Sequence, residues 1–158
     1  MKTAKWKPYV LFILLTEAVG GLAGWLTRDG VRAFDSVAKS DLTPPNAVFP
    51  IVWTILFALM GIGAARVYLS PKTPVRTRAL FIFAVQLTVN FFWSLYFFNL
   101  QAYGFSFLWL VLLLALIVVM IYLFAGADKP AALIQTPYLI WVAFAGYLNF
   151  VVWYLNRA

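Results

Sequence analysis

The sequence contains no cysteine and no histidine, and only 11% of its 158 residues are charged. Without cysteine the chain can form neither a disulfide framework nor a thiolate metal site. Without histidine it lacks the commonest metal ligand and the commonest general base. The remaining residues form no nucleophile–base pair and no metal-binding constellation. This composition therefore argues against an ordinary hydrolytic or metal-dependent enzyme.

Apolar residues dominate what is present: 65% of the chain is hydrophobic, and the mean hydropathy is +0.91. A soluble domain of this length needs much more polar surface, so lipid must be the main solvent. The formal net charge of +7 lies mostly between the apolar runs. Such charges fix the topology of a membrane protein, so we expect no nucleic-acid partner.

Five apolar stretches are long enough to cross a bilayer, which takes about 20 residues. They are Pro8–Leu26, Ala47–Leu69, Ala79–Leu100, Phe105–Ala125 and Ala131–Leu155. The sequence therefore predicts an all-α membrane protein, a bundle of five transmembrane helices. Most connections are short, which predicts a single domain over residues 1–158. The longest connection is predicted from Arg28 to Pro45.

The first stretch also has features of a signal peptide, because Lys2, Lys5 and Lys7 precede it. Its apolar run is of full spanning length and carries Glu17, which a cleaved segment would not normally hold. These features favour a retained transmembrane helix.

Lysine and arginine are distributed unequally between the two predicted sides of the membrane. One side holds Lys2, Lys5, Lys7, Arg66, Lys72, Arg76, Arg78 and Lys129, and the other holds Arg28, Arg32, Lys39 and Arg157. The positive-inside rule then predicts a multi-pass protein with a cytoplasmic N-terminus and an external C-terminus in a plasma membrane.

Polar and aromatic residues share narrow faces on three of the predicted helices, at about 100° per residue. These faces are Phe49, Trp53 and Phe57; Gln86, Asn90, Trp93 and Phe97; and Tyr138, Trp141, Ala145 and Asn149. Each face alone is explained by interhelical hydrogen bonds and ring packing. Three such faces together favour a shared cavity, because rings with a few polar groups typically line small-molecule sites.

Glu17 lies near the middle of the first predicted helix, where a carboxylate is costly. Gly20, Gly21 and Gly24 fall within about 60° of it on the helical wheel, so we expect Glu17 on a close-packed face. The sequence is compatible both with a functional role for this carboxylate and with a structural one. We expect a buried, neutral group bonded to another helix, rather than a proton-coupled transport site.

Three strings carry a resemblance to a known family. They are Pro44-Pro45 followed by Val48-Phe49-Pro50-Ile51-Val52-Trp53-Thr54; Gln86-Leu87-x-x-Asn90-Phe91-x-Trp93; and Pro137-Tyr138-Leu139-Ile140-Trp141 with Ala145 and Leu148-Asn149-Phe150. In order and spacing they resemble the translocator protein family, also called tryptophan-rich sensory proteins or peripheral-type benzodiazepine receptors. The resemblance covers nearly the whole chain.

The resemblance implies a five-helix bundle, often a homodimer, with a pocket that the first loop covers as a lid. Family members bind porphyrins, haem-pathway tetrapyrroles and synthetic isoquinoline or benzodiazepine ligands, and animal members bind cholesterol. Matched positions place Trp53, Asn90, Trp93, Trp141 and Ala145 at the pocket. We therefore expect a membrane-embedded protein that binds tetrapyrroles and similar flat ligands for sensing, transport or scavenging. No cofactor is expected beyond porphyrin or haem as ligand.

Two alternative functions remain. An ion-coupled secondary transporter would use Glu17, although the odd number of helices and the lack of paired broken helices argue against it. A light-dependent porphyrin-degrading enzyme is suggested by bacterial members, in which tryptophans at the positions of Trp53 and Trp141 are implicated. An enzyme is the less favoured interpretation.

The predicted lid comprises Arg28, Arg32, Lys39, Pro44 and Pro45, whose cations would suit the carboxylates of a tetrapyrrole. A solvated loop neutralised by nearby aspartates would explain the same cations. Because the chain offers haem iron no strong axial ligand, we expect binding by shape and stacking. The family's loop aromatics are missing at Ala33, Leu42 and Ala47, which predicts weaker stacking on a macrocycle.

The C-terminal segment fits the loose pattern proposed for cholesterol contact, with Val152, Tyr154 and Arg157 in the three key places. An interfacial aromatic belt with an anchoring arginine explains the same residues, and we favour that interpretation.

Overall fold

The computed structural model describes residues 5–157, so Lys2 lies outside the described residues. Within that range the chain is helical and contains no strand. The helices are α1 (Trp6–Ala33), α2 (Val48–Leu69), α3 (Pro74–Ser94), α4 (Tyr103–Ala127), α5 (Lys129–Leu133) and α6 (Thr136–Leu155). A short 3-10 turn, Phe34–Ser36, follows α1, and a π-helical turn, Leu95–Asn99, continues α3.

Five segments of the described chain are long and apolar enough to cross a membrane. They are Trp6–Ser36, Val48–Leu69, Pro74–Asn99, Tyr103–Ala127 and Lys129–Leu155. The prediction of an all-α protein with five transmembrane helices is therefore confirmed, and the chain is an integral multi-pass membrane protein. The fifth span is divided into α5 and α6 at residues 134–135.

The first helix is longer than predicted. It continues to Ala33, so Arg28 and Arg32 belong to α1, and the prediction that they lie in a loop is wrong. Arg32 pairs with Asp29 one turn earlier, at 3.6 Å. A cation in the last turn also interacts favourably with the helix dipole. Charges that suggested a loop in the sequence are therefore compatible with the end of a helix.

The third helix begins five residues earlier than predicted, at Pro74. Thr73 caps it, because its hydroxyl oxygen accepts a hydrogen bond from the Arg76 N–H at 3.2 Å. Proline in the first turn is favoured there, since its missing N–H would have no partner within the helix.

Helix α1 packs against different partners at its two ends. Near its start, Gly61 of α2 lies against the backbone of Ile13, and Thr16 donates a hydrogen bond to the Phe57 carbonyl at 2.7 Å. Near its end, Gly30 lies against the Phe98 carbonyl of the π-helical turn. Helix α1 therefore diverges from α2 along its length, and a space opens between them.

Candidate functional site: a cavity between the first three helices

A cavity of about 640 Å³ lies in the space between α1, α2 and α3, with α6 completing one wall. Its volume falls within the range of about 300–1,000 Å³ that small-molecule sites occupy. Exposed residues of α1 and α2, among them Gly24 and Thr54, border it, so it reaches the surface between these two helices. This is the candidate functional site.

One wall of the cavity is a continuous row of aromatic rings from α2, α3 and the π-helical turn. The Trp53 ring centroid lies 5.7 Å from that of Phe57 and 6.2 Å from that of Trp93. The rings of Trp93 and Phe97 follow, stacked at 5.6 Å with an interplanar angle of 28°. Rings in this arrangement offer several π-faces and edges to a flat aromatic ligand.

The π-helical turn supplies Phe97 of this row and adds a further aromatic residue to the cavity, Phe98. Turns of this kind occur within α-helices frequently at functional sites, because the extra residue redirects the side chains around it. Phe34, just after α1, contacts the Phe97 ring at 5.3 Å and also borders the cavity. Phe34 was not among the residues predicted for the site, although an aromatic residue close to Arg32 in the sequence was the available signal.

The glycines of α1 border the cavity instead of forming the predicted close-packed face. A Cβ atom added at Gly21 or Gly24 would meet nothing within 4 Å, whereas one added at Gly20 would strike the Phe57 ring. The prediction is therefore wrong for Gly21 and Gly24. The cause is the divergence of α1 from α2, which a helical wheel of one helix cannot show.

Glu17 also differs from its prediction. The residue is half-buried, borders the cavity, and makes no hydrogen bond with any residue between 5 and 157. Thr16, one position earlier, makes the bond to α2 instead. The expectation of a buried group bonded to another helix is wrong, because Glu17 lies on the side of α1 that faces the open space.

Arg28 and Arg32 border the cavity at the end of α1. The Arg28 guanidinium lies 5.0 Å from the Trp25 ring and donates to the Trp25 carbonyl at 3.2 Å. Arg32 makes only an exposed pair with Asp29. Both residues are exposed, so the cavity also reaches the surface at this end of α1, which we call its mouth.

The first loop borders the cavity through residues other than those predicted, namely Thr43 and Asn46. Lys39 does not border it, because its ammonium group donates to the Phe34 carbonyl at 3.0 Å and lies 4.5 Å from the Phe34 ring. Pro44 and Pro45 are also absent from the cavity lining.

The structure brings seven of the eleven predicted ligand-binding residues to the cavity: Phe49, Trp53, Phe57, Asn90, Trp93, Phe97 and Ala145. The other four, Gln86, Tyr138, Trp141 and Asn149, do not border it. Their positions show which polar residues join helices and which face the open space.

Tyr138 is fully buried between α3 and α6. Its hydroxyl accepts a hydrogen bond from the Asn90 side-chain N–H at 2.8 Å and donates to the Gln86 side-chain oxygen at 2.7 Å. Gln86 and Tyr138 therefore hold the helices together behind the cavity wall, as the interhelical interpretation of these amides predicted.

Asn149 has a similar structural role. It accepts a hydrogen bond from the Trp93 indole at 3.1 Å and donates to the Tyr103 carbonyl at 2.8 Å, which joins α3, α6 and α4. Trp141 packs edge-on against Phe49 at 5.8 Å, and its indole nitrogen is buried without a partner among the described residues.

The residues of the sterol-contact pattern do not share one surface. Val152 is buried and borders the cavity, whereas Tyr154 and Arg157 are exposed. The Arg157 guanidinium lies 4.0 Å from the Tyr154 ring centroid. This exposed pair is the arrangement expected of an interfacial anchor.

Comparisons with known proteins identify the family of this chain. A profile of the TspO/MBR family matches residues 12–155. Protein CrtK of Rhodobacter capsulatus is 41% identical over 140 residues, covering 88% of this chain and 87% of its own. The tryptophan-rich protein TspO of Chlorobaculum tepidum is 41% identical over 125 residues, covering 78% of each chain. The translocator protein of Bos taurus is 31% identical over 155 residues, covering 96% of this chain and 92% of its own. The chain therefore belongs to the TspO/MBR family.

Proposed function

We propose that this protein is a membrane-embedded binding protein for porphyrins and other flat tetrapyrroles, and that it acts in sensing, transport or scavenging. The observation that carries the proposal is the cavity, which combines an aromatic wall with two arginines at its mouth. A tetrapyrrole offers a flat π-face to the rings and carboxylates to Arg28 and Arg32.

The names of the relatives support the same class of function. A translocator protein and a tryptophan-rich protein both align with most of this chain. Two of the tryptophans, Trp53 and Trp93, border the cavity. Because the chain has no histidine or cysteine, haem would be held by shape and stacking instead of by a strong axial ligand.

The test is a titration of the purified protein in detergent with protoporphyrin IX, followed by the porphyrin's Soret absorbance. Trp53→Leu removes a ring from the aromatic wall. We expect it to weaken binding about three- to tenfold, the worth of an aromatic contact. Trp6→Leu is the matched control, because Trp6 is exposed at the start of α1, away from the cavity. Equal affinities in Trp53→Leu and the unsubstituted protein would contradict the proposal.

Light-dependent porphyrin degradation is a second candidate, favoured by the position of Trp53 and Trp93 on the cavity wall. An indole there could donate an electron to an excited porphyrin bound against it. Illumination would then bleach the Soret band with more than one porphyrin consumed per protein. Stable, stoichiometric binding under light would support the binding function alone.

A further inference from the structure

Glu17 is the one acidic residue that borders the cavity, counting residues 5–157. It lies beside the point where the cavity closes, because the preceding Thr16 bonds to the Phe57 carbonyl and seals α1 against α2. The carboxyl group is half-buried and has no hydrogen-bond partner in that part of the chain. The deep end of an otherwise aromatic cavity therefore carries an acidic group.

No cation among the described residues forms an ion pair with this group. Arg28 and Arg32 are the other charged residues on the cavity, and they lie eleven and fifteen residues further along α1. At 1.5 Å per residue these separations are about 16 and 22 Å. The lining residues of α2, α3 and α6 include no titratable group.

Polar side chains of the cavity lining on α2 and α3 are also engaged elsewhere. The Thr54 hydroxyl donates to the Pro50 carbonyl at 2.8 Å, and the Asn90 amide donates to Tyr138. A carboxyl group inside a membrane span is costly unless a donor or a cation pairs with it. In this cavity, a bound ligand could supply such a donor.

We propose that Glu17 is the recognition site for an amine at the inner end of a flat aromatic ligand. The inference rests on the proposed function, since it assumes that the cavity binds flat aromatic molecules. The ligand's ring system would lie along Trp53 and Trp93, and its ammonium group would bond to the Glu17 carboxylate. The cavity would then distinguish ligands by polarity along its length, with a cation bound deep inside and anionic groups bound by Arg28 and Arg32.

The experiment compares two probes that differ in one polar group, 1-pyrenemethylamine and 1-pyrenemethanol. Each is titrated into the protein in a neutral detergent, and binding is followed by pyrene fluorescence. We expect the amine to bind about tenfold more tightly than the alcohol, as expected of one charge-assisted hydrogen bond. Equal affinities in the unsubstituted protein would overturn the proposal without any variant.

Two variants then assign the preference to Glu17. Glu17→Gln keeps the size of the side chain and removes the charge, so the preference for the amine should be lost through weaker amine binding. Asp41→Asn is the control, because Asp41 is an exposed loop acid outside the cavity lining, and this variant should keep the preference. A preference that survives in Glu17→Gln would overturn the proposal.

The same samples are titrated with protoporphyrin IX, which separates this inference from the proposed function. An amine preference that depends on Glu17, in a protein that does not bind porphyrin, would support the amine site and contradict the porphyrin function. Porphyrin binding without any amine preference would support the porphyrin function and contradict the amine site.

Discussion

Asn90 serves the structure and the cavity with different atoms. Its side-chain N–H bonds to the buried Tyr138 hydroxyl at 2.8 Å. Its side-chain oxygen makes no hydrogen bond with the described residues, and the residue borders the cavity. Asn90 can therefore accept a hydrogen bond from a ligand while it holds α3 to α6.

We predict that Asn90→Leu weakens porphyrin binding more than it lowers thermal stability. An interhelical hydrogen bond in a membrane protein contributes about 0.6 kcal/mol on average, so the loss of stability should be small. Gln86→Leu is the matched control, because Gln86 bonds to the same hydroxyl from behind the cavity wall. It should lower the melting temperature and keep the porphyrin affinity. The reverse pattern would contradict a ligand contact at Asn90.

The sequence predicted which residues share a helix face better than it predicted the roles of single residues. Phe97 and Gln86 share one face of the third predicted helix, yet Phe97 borders the cavity and Gln86 is fully buried. A helical wheel gives the direction of a side chain about the helix axis. It does not give the position along the helix at which a neighbouring helix moves away. That position decides whether a side chain lies in the core or borders the cavity.

The position of the end of α1 depends on close contacts with the π-helical turn. Gly30 lies against the Phe98 carbonyl, and the Asn99 side chain donates to the Leu26 carbonyl at 3.0 Å. These contacts fix the end of α1 on α3, away from α2. The width of the cavity follows from this attachment.

We predict that Gly30→Ala lowers the melting temperature in detergent, although alanine is the better helix former. The new methyl group would strike backbone atoms of Phe98, which cannot move aside as a flexible side chain could. Gly21→Ala is the control, because a Cβ there meets nothing within 4 Å. It should leave the melting temperature unchanged or raise it, since alanine is favoured over glycine by about 0.5–1 kcal/mol in a helix. Equal effects of the two substitutions would contradict the attachment.

Asp128 joins α2 to the start of α5. Its two carboxylate oxygens accept hydrogen bonds from Nε and Nη2 of Arg66 at 2.9 and 3.1 Å, and it caps α5 by accepting from the Ala131 N–H at 2.8 Å. Partial burial acts to raise the pKa of the Asp128 carboxyl. The hydrogen bonds from Arg66 and Ala131 outweigh it and lower that pKa below its ordinary value of 3.8.

We predict that the Arg66–Asp128 pair stabilises the protein at neutral pH and loses its effect in acid. A lowered carboxyl pKa contributes stability above pH 3.8, and this contribution disappears as the pH falls through the lowered value. Asp128→Asn keeps the helix cap and removes the charge, so it should cost about 1 kcal/mol at pH 7. Melting curves from pH 7 to pH 3 should show the two proteins converging. A constant difference across that range would contradict the ionic contribution.

The number of membrane spans was predictable and the ends of the helices were not. Apolar runs of spanning length identify each membrane segment, since the bilayer sets the length required. The end of α1 at Ala33 was missed because Arg28, Asp29 and Arg32 resemble a loop in composition. Contacts made by Gly30 and the pairing within the last turn support the continued helix, and neither can be seen in the composition.

Across the whole molecule, the first loop is fastened to the end of α6. The Asn156 side chain donates to the Ala38 carbonyl at 2.8 Å, and Ser40 and Tyr147 share a hydrogen bond at 3.2 Å. The loop, the end of α1 and the mouth of the cavity therefore lie on one side of the bundle. The opposite side carries Asp128 and the connection from α2 to α3.

We predict that the mouth of the cavity faces away from the cytoplasm. Among residues 5–157, seven lysines and arginines lie on the side of the α2–α3 connection and four on the other side, and the positive-inside rule places the richer side in the cytoplasm. Because the chain has no cysteine, Asp41→Cys and Pro71→Cys each introduce a single thiol at an exposed loop position on one side. In intact bacterial cells whose outer membrane has been made permeable, an impermeant maleimide should label Asp41→Cys. It should label Pro71→Cys only after the inner membrane is permeabilised. Labelling of Pro71→Cys alone in intact cells would show the opposite orientation, with the cavity mouth and its two arginines open to the cytoplasm.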